Sequence, residues 1–264
     1  MLLIPSIFTS SSLFRLMLQE FAEIFDRPNS RVVLFSLGSI TKARLMPMEM
    51  KMAFLEAFAR FPEYDFIFKV DNEHFENDQL VAQYRNVHTF KWIDQVSVLH
   101  HPSTKAFITH SGLNSISEAL FSGVPLICIP LFADQEYNTV MAVRKNVAVY
   151  IDRNAITTEI IVDALDKVLN DPKYAENSRQ LRDRLRKYPV EAKTLFVKWS
   201  EYMAEFGNFP DLNLQGAEIG SIQYFLLDIF FVISTVITCL LFTVIKIGRI
   251  ISRKFLSSRK RKTE

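Results

Sequence analysis

Residues 107–118 read FITHSGLNSISE. The apolar run Phe107-Ile108-Thr109 breaks at His110-Ser111-Gly112, and a helical spacing of Leu113, Ile116, Ala119 and Leu120 starts at once. A buried strand that turns this sharply into a helix is half of a βαβ unit. A plain junction needs a turn and a single cap. This one carries His110, Gly112, Asn114 and Ser115, more polar groups than capping uses.

The same alternation extends outward in both directions. Short β-rich runs lie at Val32–Ser36, Phe66–Val70, Val87–Lys91, Ala106–Thr109, Leu126–Ile129 and Val147–Ile151. Amphipathic stretches fill 47–60, 95–101, 113–122 and 135–145 between them, and further helices are expected at 157–170, 173–187 and 190–206, packed back over the domain. The runs are apolar on both faces, as in parallel strands covered by helices on each side. The pattern predicts an α/β fold, a doubly wound parallel sheet of about six strands of the Rossmann-like kind. Ligands of such sheets sit at the carboxyl ends of the strands. Four polar joints fall there: Gly38-Ser39, Trp92 to Gln95, His110 to Ser115, and Asp134-Gln135. Each alone is a weak signal; together on one edge they describe a site.

With 264 residues and 49% apolar content, the chain can bury a substantial core. Its net charge of +2 is uneven. Eight basic residues from Lys246 onward, against Glu264, leave the end at +7 and the rest at −5. That basic patch follows an apolar segment rather than lying on the folded domain, which argues against nucleic acid as a partner. The spacing of Cys128 and Cys239 suits neither a metal site nor a disulfide framework. No metal and no resident cofactor is expected.

Residues 224–248 read YFLLDIFFVISTVITCLLFTVIKIG, with 17 uncharged residues in a row from Ile229 to Ile245. That length, extended by Phe225–Leu227, crosses a bilayer core. The basic flank places the tail in the cytoplasm and the domain on the far side of the membrane. A buried core helix is the alternative. The opening MLLIPSIFTSSSLF makes a poor signal peptide, for it lacks a positive start and contains a proline.

The pieces VVLFSLGS at 32–39, KWIDQ at 91–95, HP at 101–102 and AFITHSGLNSISEALFSGVPLICIPLFADQEYN at 106–138, with the span and basic tail, resemble the C-terminal half of the UDP-glucuronosyltransferases. These belong to the wider UDP-glycosyltransferase family of the GT-B fold. The animal enzymes usually have glycine and proline where this chain has Ser111 and Asp94. The resemblance implies a donor-binding domain at 31–206 after a lead-in at 1–30. A juxtamembrane linker would follow at 207–223, then a transmembrane helix at 224–248 and a basic tail at 249–264.

It also implies a role for each polar joint. Trp92 and Gln95 would form the uracil platform, a flat stacking face beside an amide that donates and accepts. The alternative for Trp92 is plain core. His110 would meet the diphosphate, as a directed donor at a helix N-terminus that already favours anions. The alternative is a histidine bonded to a nearby carbonyl. Gly112 would let backbone approach the phosphate, and Asn114 and Ser115 would add donors or simply cap. Glu118 would accept from the ribose hydroxyls or be a solvated carboxylate. Gly38 and Ser39 would reach the diphosphate from the neighbouring strand. Asp134 and Gln135 would bond the sugar hydroxyls, with Asp134 as a plain N-cap the alternative.

The expected function is transfer of a sugar from UDP-glucose or UDP-glucuronic acid to a hydroxyl of a small lipophilic acceptor. The family's acceptor domain carries the catalytic base, and no histidine here stands in that context, so no catalytic base is assigned. A non-catalytic or regulatory subunit, or half of a split enzyme, is the alternative. Both allow homo- or hetero-oligomers with full-length relatives. Lys260 and Lys262 resemble a dilysine retrieval signal of endoplasmic-reticulum membrane proteins; a generic stop-transfer flank is the other reading.

Overall fold

The computed structural model describes residues 21–39, 41, 45–70, 80–207, 209, 214, 216 and 219–260, with 251–260 as helical backbone only. Most of the lead-in, His74, most of the linker and Lys262 lie outside these residues. The chain divides into two compact units, residues 1–196 and 197–264.

In the first unit, helix α1 (Ala22–Phe25) precedes β1 (Val32–Ser36), followed by α2 (Met48–Ala59), β2 (Asp65–Lys69), β3 (Val87–Phe90) and α3 (Gln95–His100). Then come β4 (Thr104–Thr109), α4 (Leu113–Ser122), β5 (Leu126–Cys128), α5 (Gln135–Arg144) and β6 (Ala148–Tyr150). Helices α6 (Thr158–Asn170) and α7 (Pro172–Arg186) follow. The six strands form one sheet in the order β3-β2-β1-β4-β5-β6, and every pairing is parallel. This is the doubly wound arrangement expected from the sequence.

Alternation along β1 explains the two layers. Val33 and Phe35 enter a core with Phe54 and Phe58 of α2 and Ile161 and Leu165 of α6. Val32 and Leu34 enter the opposite core with Val98 of α3, Ile116 of α4 and Ala142 of α5. Strand β4 starts two residues earlier than the apolar run suggested, because Thr104 is buried and its hydroxyl donates to the Val98 carbonyl. The exposed Lys105 hid that extension. Part of the predicted lead-in is also core. Phe21, Ile24 and Phe25 are buried, and the Phe21 ring meets Phe90 edge-on at 4.7 Å.

α6 and α7 bury residues as expected, whereas α8 (Ala192–Phe206) buries none, and the boundary between the two units falls inside it. The second unit continues through the short α9 (Ser221–Tyr224) to α10 (Leu227–Lys260). The expected helix start at 224 is displaced because Leu226 adopts φ 55°, which breaks the chain between α9 and α10. Residues Leu227–Ile250, with mean hydropathy 2.4, are long and apolar enough to cross a membrane. The helix does not stop at the basic flank but runs on to Lys260, since no proline interrupts it.

Candidate functional site

All four polar joints stand at the carboxyl edge of the sheet, because every strand points the same way. After β1 the chain turns through Leu37 into Gly38, which has φ +86°. Its amide donates to Ser36 Oγ at 3.3 Å. After β4 it reaches His110, then Ser111 at φ +67°, then Gly112, which caps α4 without any side-chain bond. Neither Asn114 nor Ser115 is spent on capping, and the first amides of α4 stay available.

The two glycines share a purpose that the sequence did not disclose. A Cβ on Gly112 would lie 2.6 Å from Nε2 of His110, and one on Gly38 2.6 Å from its Cε1. The imidazole therefore stands between two backbone segments, and only glycine on each side leaves it room. Close phosphate approach was the expected reason for Gly112; space for His110 is the one that the geometry supplies. The His110 Nδ1 atom is buried and has no hydrogen-bond partner among the described residues. The alternative of a histidine tied to a nearby carbonyl is thus not what is seen. Burial lowers the His110 pKa, the nearby Lys69 charge lowers it further and Asp134 opposes both. The ring is therefore neutral near pH 7, one nitrogen a donor and the other an acceptor.

Ser111 takes a left-handed conformation that glycine would adopt without strain, and it is fully buried. Its carbonyl accepts from Asn138 Nδ2 at 3.2 Å, and the same amide donates to Asp134 Oδ2 at 2.8 Å. Asn138 thus joins the His110 turn to the start of α5. Asp134 is exposed and makes no side-chain cap. Gln135 is buried, and its Oε1 accepts from the amides of Leu131 at 2.8 Å and Phe132 at 3.0 Å. That bond fixes the loop and leaves the Gln135 Nε2 group to donate. Arg153 also holds this loop, by donating to the Leu131 carbonyl.

On the other side, Trp92 is 69% exposed, so it is not a core residue. Asp94, which stands where relatives have proline, caps α3. It accepts from the Ser97 amide at 3.3 Å and from Ser97 Oγ at 2.6 Å. Gln95 Nε2 donates to Glu118 Oε2 at 2.6 Å and to Ser115 Oγ at 3.2 Å. The amide that the sequence assigned to a base edge has therefore committed its nitrogen to Glu118, and its oxygen remains. Burial raises the Glu118 pKa, while the Gln95 bond counteracts it.

Lys69 was not anticipated. At the end of β2, its Nζ lies 3.3 Å from the Gly38 carbonyl and 3.5 Å from Ser39 Oγ, and 4.8 Å from the centre of the Trp92 ring. A single lysine ending a strand carries no motif, so nothing in the sequence marked it. Asn138 lay within a recognised stretch but had no role attached.

The edge thus combines an exposed indole, a buried-side carboxylate, free helix amides beside an imidazole, one ammonium, and an exposed carboxylate with an amide. That set suits a ligand with a flat ring, vicinal hydroxyls, a strong anion and a polyol. No group of histidine, cysteine or carboxylate side chains that could hold a metal occurs among the described residues.

Comparison with known proteins gives the same direction. Residues 17–262 match the family model described as UDP-glucoronosyl and UDP-glucosyl transferase. The UDP-glycosyltransferase UGT5 of Dactylopius coccus is 33% identical over 80% of this chain and 39% of its own length. The UDP-glucuronosyltransferase 2B1 of Rattus norvegicus is 33% identical over 88% of this chain and 42% of its own. The chain thus spans about two fifths of the length of these relatives. Among solved structures, the glycotransferase of kitacinnamycin superposes with TM-score 0.58 at 29% identity, covering 67% of this chain and 44% of that one. Os79 from O. sativa, in complex with U2F and trichothecene, superposes with TM-score 0.64 over 77% of this chain and 48% of its own; at 21% identity it shows the fold alone.

Proposed function

We propose that this chain, which belongs to the UDP-glucuronosyl- and UDP-glucosyltransferase family, holds a UDP-sugar across the carboxyl edge of its sheet. The uracil stacks on Trp92 beside the free oxygen of Gln95, and the ribose hydroxyls donate to Glu118. The diphosphate lies against His110, Asn114 and the α4 amides, with Gly38 and Ser39 opposite. The sugar lies toward Asp134 and Gln135, and no resident cofactor takes part. A small lipophilic alcohol or phenol displaces UDP at the anomeric carbon. The chain's own contribution is to stabilise charge on the departing diphosphate.

The observation that carries the reading is the His110 imidazole held between two glycines at a helix N-terminus that no side chain caps. A diphosphate there favours the imidazolium and raises a pKa that burial has lowered. UDP binding then takes up a proton at His110, and affinity rises as pH falls. Titrations between about pH 8 and pH 5 should show a steeper rise for the native chain than for His110→Gln, which lacks the imidazole that takes up the proton. Equal slopes would remove His110 from the diphosphate.

The apolar stretch of α10 supports a membrane-anchored protein, and the basic residues that follow it favour a cytoplasmic tail with the sheet domain on the far, lumenal side of the endoplasmic-reticulum membrane. Alkaline carbonate should leave the chain in the membrane pellet, and a tag after Glu264 should be cut by protease added to intact microsomes. A protected tag would reverse the orientation.

A further inference from the structure

Strand order places β2 between β3 and β1. The loop with Trp92 follows β3 and the loop with Gly38 and Ser39 follows β1, so the last side chain of β2 reaches both. Register puts Lys69 opposite Phe90, two residues before Trp92. The exposed indole belongs to neither core cluster. The Lys69 ammonium lies over it, 4.8 Å from the ring centre. An ammonium has three protons to place. Here the Gly38 carbonyl and Ser39 Oγ accept from it, at 3.3 and 3.5 Å, and the indole face takes the remaining direction. Among the described residues no carboxylate pairs with Lys69.

We propose that Lys69 is the positioning residue of the nucleobase platform: it holds one face of the Trp92 indole, presents the other face to the base, and ties that platform to the Gly38–Ser39 loop. The inference rests on the donor-site reading above. A cation against one face of an indole restricts its rotation without covering the opposite face. An unheld exposed tryptophan samples several rotamers, and the base would have to select one of them. The same ammonium couples the base end of the site to the loop that meets the diphosphate, so the two ends are organised by one residue.

The experiment uses the full chain in detergent, with Trp199→Phe so that Trp92 is the remaining tryptophan. Lys69→Met keeps the apolar stem and removes the charge; Lys69→Arg keeps a cation. Lys69→Met should raise acrylamide quenching of Trp92 before any ligand is added. It should weaken UDP binding by about 3- to 30-fold, the range for losing a cation–π contact, and weaken binding of inorganic pyrophosphate by clearly less. Lys69→Arg should restore both quenching and affinity. Unchanged Trp92 quenching, or unchanged UDP affinity, would overturn the proposal. So would an equal loss for UDP and pyrophosphate, which would make Lys69 a direct anion ligand. Failure of the folded, unsubstituted chain to bind UDP is a separate result, and it would overturn the donor-site reading on which the proposal stands.

Discussion

Incubated with UDP-glucose or UDP-glucuronic acid and a panel of phenols and lipophilic alcohols, the 264-residue chain by itself should bind the donor and glycosylate none of them at a useful rate. Transfer needs a base within hydrogen-bond reach of the acceptor hydroxyl, which typically contributes 10²–10⁴-fold. It also needs the acceptor held against the anomeric carbon, where positioning contributes several kcal/mol more. Among the described histidines, His88 is paired with Asp65, which opens β2, at 2.7 Å. His100 bonds the Val96 carbonyl, and the His101 ring lies 4.0 Å from that of Phe25. Both precede β4, at the amino edge of the sheet. Among the described residues His110 is the one histidine at the carboxyl edge, and its proposed place there is beside the leaving group. Robust transfer by the isolated chain, lost in His110→Ala, would show that these residues supply the acceptor chemistry as well as the donor site.

Gly112→Ala should weaken UDP binding by about 10- to 100-fold, the equivalent of losing a hydrogen bond to a charged group. The new Cβ would sit 2.6 Å from Nε2 of His110, closer than real Cβ atoms come to another heavy atom. Either the imidazole leaves the slot or the turn opens, and both spoil the anion site. Gly38→Ala should act in the same direction and also strain the backbone, because its φ is +86°. The two effects separate by measurement. Gly38→Ala should lower thermal stability as well as affinity, whereas Gly112, with φ −58°, should lose mainly affinity. Gly112→Ala binding UDP like the native chain would mean that His110 does not need its slot.

The sheet and its order of elements were legible because each strand is apolar on both faces and each polar joint interrupts an apolar run. Helix α4 matched its expected bounds at 113–122, since Gly112 precedes it and Gly123, at φ +76°, ends it. Other features depend on contacts distant in sequence. That Gly38 and Gly112 flank one imidazole follows from β1 lying beside β4. The Gln95–Glu118 bond crosses between two helices, and Lys69 depends on β2 lying between two loops. Neither pairing has a sequence spacing that would announce it. The break at Leu226 was hidden because an apolar residue at positive φ has no compositional mark.

The claim that the carboxyl edge is a UDP-binding site is tested most directly by calorimetric titration of the full chain in detergent with UDP, and with ADP as the comparison. One saturable site is expected for UDP, with ADP weaker because the proposed contact of the free Gln95 oxygen is to a uracil edge. His110→Ala should lower the UDP affinity by about 1–3 kcal/mol while the fold stays intact by circular dichroism. No binding of UDP by the folded chain, or an unchanged affinity in His110→Ala, would contradict the account.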